Sequence, residues 1–294
     1  MTRDSERKVT FAVVVGAFVF GTNLFVVKIG TSYMPQLPLM ATAISLAGII
    51  MLTVCLAFRK GPAILSGKKY FLELLWIGVI GTSVPALLVA YGVSFSGVTN
   101  CMLLQTEVVF SMALGYIFLR ENVTREQISL CAFSFLGAFL VLTNGVITNV
   151  DFGGVLLLMA PLFYQMGHVV AKRVLRDIDH SIVVTYRLLI GGFFLTAASS
   201  ILWRDAWTLS TGISESVVTV LLALGYALGN TLWYYGVRHL NLSKATSLLV
   251  VQPLVPTILG VLLLGETLSM VKVWGIVLVF LALLRLSQIR SVSR

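Results

Sequence analysis

A carboxylate, Glu107, lies near the middle of a long apolar stretch that runs from Val98 to Thr124. Arg120 follows it after 13 residues, which corresponds to about 20 Å of helix. In a bilayer with a hydrocarbon core about 30 Å thick, Glu107 therefore falls close to the midplane. A carboxylate at that depth is costly, so it faces a cavity or a partner. We expect it to bind a substrate amine or to carry a proton; the alternative is a structural group that joins helices by hydrogen bonds.

Other polar side chains within apolar segments are amides and aromatic rings, which suit a mostly apolar pocket with few polar anchors. Taken singly, each is more often a contact between helices. Taken together, they predict a cavity for amphipathic metabolites, lined by Asn23, Tyr91, Gln105, Glu107, Tyr164, Gln165, Asn230, Trp233, Tyr234 and Gln252.

Four further polar residues lie nearer to the ends of their segments or in the loops that follow them. Lys28 and Arg187 are candidates for an ion pair or a gate, although long basic side chains also reach the membrane surface. Arg187 has the further alternative of bracing loops. His168 is expected at the interface, near the inner end of its helix. Glu121, beside Arg120, is expected in a wet, charged loop.

The composition is that of a chain whose solvent is lipid. Of its 294 residues, 58% are hydrophobic and 11% are charged, with a mean hydropathy of +0.97, whereas soluble domains contain about 25% charged residues. The net charge of +9 lies in short clusters between apolar runs, which argues against nucleic acid as a partner. The three cysteines show neither disulfide nor metal-ligand spacing.

Ten apolar segments follow one another, each near the 17–25 residues that a spanning helix needs. Backbone groups must be paired in hydrocarbon, so helices are the expected form. We therefore predict an all-α integral membrane protein with ten transmembrane helices, at about residues 11–32, 36–58, 71–93, 98–119, 126–147, 153–172, 181–203, 215–237, 243–264 and 271–289.

The basic residues predict the orientation. With the N-terminus inside, all of the 21 Lys and Arg residues lie on the inner side except Lys28, Arg187, Arg204 and Lys272. This asymmetry predicts a multi-pass protein of the cell membrane with both termini cytoplasmic. Tryptophan prefers the membrane interface, and three such residues lie at predicted outer ends: Trp203, Trp207 and Trp274.

The stretch around Glu107 recurs later in the chain, from Leu242 to Ser269. Aligning Glu121 with Glu266 places Glu107 opposite Gln252. The chain therefore divides into two five-helix repeats, residues 1–147 and 148–294. Five is an odd number, so the second repeat must be inverted. Inverted repeats are characteristic of secondary transporters with a site near the midplane; the alternative is a duplication kept for packing.

Three motifs, in order, resemble the EamA-type transporters of the drug/metabolite transporter superfamily. They are Phe20-Gly21-Thr22-Asn23 with Lys28, Gln105-Thr106-Glu107 leading to Leu119-Arg120-Glu121, and Gln252-Pro253 leading to Leu264-Gly265-Glu266. Thr185-Tyr186-Arg187 resembles the arginine motif usual in the second helix of a repeat. Two departures are Val108, where a proline often follows Thr-Glu, and a second helix without that arginine. Without the proline, no break is expected in the fourth helix.

The resemblance implies a ten-helix carrier with a central cavity, moving small metabolites and often exporting them. We therefore expect a secondary-active exporter of amino acids or similar amphipathic compounds that works by alternating access. Ser111 and Gly260 are small residues expected to admit close approach when a gate closes.

Other functional classes would be marked by characteristic sequence motifs. The chain shows no phosphate loop and no HExxH or GxSxG motif, so neither an ATP-driven pump nor an enzyme is expected, and no cofactor or metal. A membrane channel or a lipid scramblase without alternating access remains the alternative. The expected partners are the lipid bilayer and a small-molecule substrate, with proton or counter-substrate coupling open. Substrate identity and oligomeric state also stay open.

Overall fold

The computed structural model describes residues 3–146, 151–203 and 212–289. Over these residues the chain is helical, without strands, and ten helices are long and apolar enough to cross a membrane. We number them α1 (Arg3–Gly30), α2 (Gln36–Ala57), α3 (Gly61–Phe95), α4 (Val98–Leu119), α5 (Arg125–Thr143), α6 (Phe152–Val174), α7 (His180–Leu202), α8 (Ile213–His239), α9 (Leu242–Leu264) and α10 (Met270–Gln288). The predicted fold class and the number of spans are confirmed. Arg204 and Trp207 lie outside the described residues.

Three of these helices change form along their length. In α3 a π-helical turn covers Val79–Ser83. In α4 the segment Val98–Thr106 is a 3-10 helix, and α-helical geometry begins at Glu107. In α9 a 3-10 segment covers Leu248–Val251. The fourth helix thus changes form beside Glu107 without a proline, and it runs through Val98–Leu119 as a single span.

Each of the main helix pairs joins one helix from the first half of the chain to one from the second. α1 packs on α8, α2 on α7, α3 on α6, α4 on α9 and α5 on α10. The α3–α6 contact depends on two glycines, because a Cβ added to Gly81 would lie 2.7 Å from the Cα of Gly167. Such small residues let membrane helices approach closely where no hydrophobic force draws them together.

The outer surface of the bundle is apolar. Large side chains such as Phe18, Ile117, Phe193, Leu262 and Leu281 are more than half exposed. A soluble protein rarely leaves so continuous an apolar surface in contact with water. In a membrane these side chains face lipid, so the bundle is a multi-pass membrane domain.

The charged loops at one end of the bundle, which include Lys60, Arg120 and Arg238, form what we call the basic end. Here Asp179 accepts a hydrogen bond from Lys60 Nζ at 3.0 Å, and Arg238 Nη1 lies 3.6 Å from its other oxygen. Burial acts to raise the pKa of the Asp179 carboxyl, but hydrogen bonds from Ser181 and Lys60 outweigh burial, and the pKa is lowered. Asp179 thereby ties the start of α7 to its neighbours.

The other end of the bundle, which we call the opposite end, is held mainly by hydrogen bonds. Lys272 Nζ donates to Asn100 Oδ1 at 2.9 Å, and Asn100 Nδ2 donates to Asp151 Oδ2 at 3.0 Å. The hydroxyl of Ser269 donates to Asn144. These contacts join the starts of α4, α6 and α10.

Candidate functional site

A buried cavity lies between eight of the ten helices, with lining residues from each of them except α5 and α10. Its lining combines aromatic rings and aliphatic side chains with a few polar groups, as ligand sites commonly do. The lining residues are Phe20, Asn23, Leu24, Ile44, Thr82, Ala86, Val89, Leu104, Glu107, Tyr164, His168, Arg187, Tyr226, Asn230, Trp233, Leu249 and Gln252.

Glu107 lies at the cavity wall, at the point where the α-helical part of α4 begins. It is 8% exposed. Its Oε1 accepts a hydrogen bond of 2.6 Å from Gln165 Nε2 and lies 3.6 Å from His168 Nε2. The amide thus satisfies one oxygen of a carboxylate that would otherwise be buried without a partner, which is the costly condition in an apolar surrounding.

His168 belongs to this cavity and not to the interface. It is 4% exposed, with Nε2 towards Glu107 and Nδ1 3.3 Å from the hydroxyl of Tyr234. The rings of Tyr164 and Trp233 pack on it, the first stacked and the second edge-on. The interfacial placement predicted for His168 was wrong, because the surrounding helices bury this turn of α6 completely.

Arg187 is the second charged group of the cavity and is 3% exposed. Three hydrogen bonds hold its guanidinium: Nε donates to Thr82 Oγ1 at 2.9 Å, Nη2 to Gly81 O at 2.8 Å and Nη1 to Tyr234 Oη at 2.8 Å. Gly81 and Thr82 lie in the π-helical turn of α3. Turns of this kind are frequent at functional sites, and here the turn presents both acceptors to one guanidinium.

Tyr234 connects the two charged groups. Its hydroxyl accepts from Arg187 and lies beside His168, which in turn lies beside Glu107. The guanidinium also lies 4.9 Å from the centre of the Tyr234 ring, within the range of a cation–π contact. A polar chain therefore runs from Glu107 in the first half of the sequence through His168 and Tyr234 to Arg187 in the second half.

The structure brings together most of the residues predicted for the cavity. Asn23, Glu107, Tyr164, Asn230, Trp233 and Gln252 line it. Gln165 and Tyr234 are buried behind the lining and bond to Glu107 and Arg187. Gln105 is turned to α9, where Nε2 donates to Leu249 O at 3.2 Å. Tyr91 packs on Phe95 instead and is not among the lining residues.

Several lining residues escaped the sequence analysis, namely Phe20, Thr82, His168 and Tyr226. Spacing along the helices carried a signal for two of them. Tyr226 precedes Asn230 and Trp233 by four and seven residues, which places all three on one helix face. His168 follows Tyr164 by four residues. No comparable signal marked Thr82, whose place depends on the π-helical turn.

Lys28 lies at the opposite end of the bundle rather than in the cavity. Its Nζ donates to Val93 O at 2.8 Å and to Ser96 O at 2.9 Å, the carbonyls that end α3. Lys172, 144 residues later in the sequence, does the same for α8, donating to Val237 O at 2.5 Å and Leu240 O at 2.6 Å. Each lysine satisfies the unpaired carbonyls of a helix C-terminus. A gating role for Lys28 stays a prediction.

Both the sequence and the fold are similar to those of known proteins. The EamA-like transporter family model matches the chain twice, at residues 7–143 and 151–288. A solved crystal structure matches with a TM-score of 0.73 at 14% identity, covering 98% of this chain and 97% of that one, which shows the same fold.

Two relatives carry functional names. A protein of Salmonella typhimurium named as a probable amino-acid metabolite efflux pump is 26% identical, covering 95% of this chain and 94% of the relative. A protein of Streptantibioticus cattleyicolor named as a probable terminal-alkyne amino-acid exporter is 26% identical, covering 76% of each chain. Because the family model spans nearly the whole sequence in two copies, this chain belongs to the EamA-like transporter family.

Proposed function

We propose that this protein is a secondary-active exporter of amino acids or similar amphipathic metabolites and that it works by alternating access. One observation carries the choice of substrate: Glu107 and Arg187, two buried groups of opposite charge, line the same cavity. An amino acid carries both an ammonium and a carboxylate group. A cavity with one acidic and one basic side chain complements both, and the two relatives named for amino-acid efflux agree with this substrate class.

The hydrogen bonds that Arg187 and Glu107 make within the protein leave donors and an acceptor for such a ligand. A guanidinium has five N–H donors, and the three bonds to Thr82, Gly81 and Tyr234 occupy three of them. The remaining donors suit a substrate carboxylate, which arginine binds in a planar, two-pronged geometry. Glu107 accepts a hydrogen bond from Gln165 through Oε1, so its Oε2 suits a substrate ammonium. We assign the ammonium group to Glu107 and the carboxylate to Arg187.

The apolar part of the substrate would lie against aromatic rings. Phe20, Tyr164, Tyr226 and Trp233 surround the cavity beside Ile44. Such walls bind amphipathic compounds through apolar area and leave orientation to the polar groups. They also exclude water from the charged groups, which strengthens the electrostatic contacts.

The internal repeat supports alternating access. The family model matches each half separately, the main helix pairs each join both halves, and Lys28 and Lys172 make matching contacts 144 residues apart. We propose that residues 1–147 and 148–294 are inverted repeats, with both termini cytoplasmic, and that movement of helices around the cavity exposes it to each side in turn.

Counterflow in proteoliposomes tests this function. Proteoliposomes that contain the purified protein are loaded with one unlabelled amino acid, and uptake of the same amino acid in labelled form is followed. The measurement is repeated for a panel of amino acids with zwitterionic, cationic and apolar side chains. A carrier exchanges label against the internal pool, so uptake should be saturable and should rise with internal substrate. An imposed pH gradient separates proton coupling from exchange. Uptake that does not saturate and ignores the internal pool would indicate a channel, and lipid movement without amino-acid flux would indicate a scramblase.

A further inference from the structure

Glu121 closes the basic end of the contact between α4 and α9. Its carboxylate accepts from the backbone N–H of Leu242 at 2.7 Å, from that of Ser243 at 3.3 Å and from Ser243 Oγ at 2.8 Å. These are the first N–H groups of α9, which have no partner within their own helix. A carboxylate at this position is also favoured by the helix dipole. Glu121 lies half-buried in the loop after α4, as expected for a loop residue, and is in addition a cap of the α9 helix.

Glu266 does the same at the opposite end, with the helices exchanged. It follows α9 and accepts from the backbone N–H of Val98 at 2.7 Å and of Thr99 at 3.0 Å, at the start of α4. Both glutamates follow a residue in the left-handed conformation, Arg120 (φ 57) in one case and Gly265 (φ 66) in the other. That turn directs the chain away from the end of its own helix.

The helices α4 and α9 also contact each other between these two ends. Ser111 Oγ lies 2.7 Å from Thr246 Oγ1, and Gln105 donates to Leu249 O. Near the opposite end, a Cβ added to Gly260 would lie 2.4 Å from Val98 Cγ1. Ser111 and Gly260 were expected to admit close approach when a gate closes. Both make close contacts in this structure, so the contact between α4 and α9 is closed towards both ends at the same time.

We infer that Glu121 and Glu266 are positioning residues that tie α4 and α9 into one static unit, and that the gates are formed by other helices moving against it. Separating either end would leave a carboxylate and helix N–H groups unpaired at the membrane, which is costly. The unit carries Glu107 on α4 and Gln252 on α9, so it fixes both at the cavity. This inference rests on the proposed alternating access and names the part of the molecule that does not move.

Two engineered disulfides test whether the unit is static. The pairs are S111C with T246C and V98C with G260C, introduced together, because the side chains of each pair are in close contact across α4 and α9. The folded, reduced protein is oxidised in proteoliposomes, and linked peptides are mapped by mass spectrometry, so the native cysteines stay in place. We expect both disulfides in the same molecule and an exchange rate within about twofold of the reduced sample. S111C alone and V98C alone, treated alike, are the controls.

Either of two results would overturn the inference: only one disulfide forms per molecule, or oxidation stops exchange while the reduced protein exchanges normally. Each would mean that the ends of α4 and α9 must separate in turn. Absence of amino-acid exchange in the reduced and unmodified proteins would count against the proposed function instead. In that case the number of disulfides per molecule still decides whether both ends close together.

A rescue experiment separates positioning from simple folding. Glu266→Gln should lower the exchange rate about tenfold or more, since a hydrogen bond to a charged group contributes about that factor. Adding V98C and G260C should restore the rate after oxidation and not before it. The same holds for Glu121→Gln with S111C and T246C. Because the protein is already folded when it is oxidised, failure of oxidation to restore the rate would reject the tie as the function of these glutamates.

Discussion

Oε1 of Glu107 lies 3.6 Å from Nε2 of His168, although the two residues belong to different halves of the chain. The contact is buried, and His168 continues it through Tyr234 to Arg187. A buried polar chain of this kind depends on every member, because a group left without its partner is costly in an apolar surrounding.

Glu107→Gln should reduce amino-acid exchange about tenfold or more, because an amide cannot replace the charged contact to an ammonium group. The folded protein should persist, since Gln165 can still hydrogen-bond to the new amide. Initial exchange rates and the elution profile in detergent measure the two effects. Glu126→Gln is the matched control, because Glu126 pairs with Arg285 in an exposed ion pair at 2.9 Å, away from the cavity. Normal exchange by Glu107→Gln at several pH values would make the carboxylate a structural group only.

His168→Phe keeps an aromatic ring between Tyr164 and Trp233 but removes both ring nitrogens. We expect slower exchange, by about fivefold or more, because Glu107 and Tyr234 each lose a polar neighbour. Thermal stability should change less than it does in His168→Ala, which also leaves a cavity. His239→Phe serves as the control, since His239 is exposed and hydrogen-bonds to Tyr235 O within its own helix. Equal exchange by the two phenylalanine variants would remove His168 from the site.

Asp179→Asn should lower the thermal midpoint in detergent by about 2–4 °C, because the amide loses the charged contacts to Lys60 and Arg238, which contribute about 1 kcal/mol. The pKa of Asp179 is lowered in the folded protein, below its unfolded value of about 3.9. Its stabilising contribution is therefore complete near pH 7 and is lost as the pH falls through the folded pKa. The difference in midpoint between the variant and the parent should shrink below about pH 4. A difference that grows on acidification would contradict the assigned sign.

Cysteine labelling tests the orientation. Thr267→Cys lies at the opposite end and Ser66→Cys at the basic end, and both side chains are exposed. An impermeant maleimide added to intact cells should label Thr267→Cys and spare Ser66→Cys, because basic loops stay in the cytoplasm. Permeabilised cells, in which both should react, provide the control. The reverse pattern would exchange the orientation of all ten helices.

The number of helices was readable from the sequence because it depends on local properties, and the depth of Glu107 is a prediction from properties of the same kind. A run of about 20 apolar residues is long enough to span a bilayer whatever its neighbours are. Glu107 is placed by counting residues to Arg120, and the repeat is visible because Glu107 aligns with Gln252. Composition, length and spacing along the chain were sufficient for these conclusions.

Only the tertiary structure decided which side of each helix faces the cavity. In a soluble helix the apolar stripe marks the buried face, but a membrane helix is apolar towards both lipid and neighbours, so its rotation is not written in the sequence. His168 and Tyr91 show the consequence: the first was expected at the interface and lines the cavity, whereas the second was expected in the cavity and packs on Phe95. Glu121 and Glu266 are caps only because folding brings a distant helix start to each carboxylate.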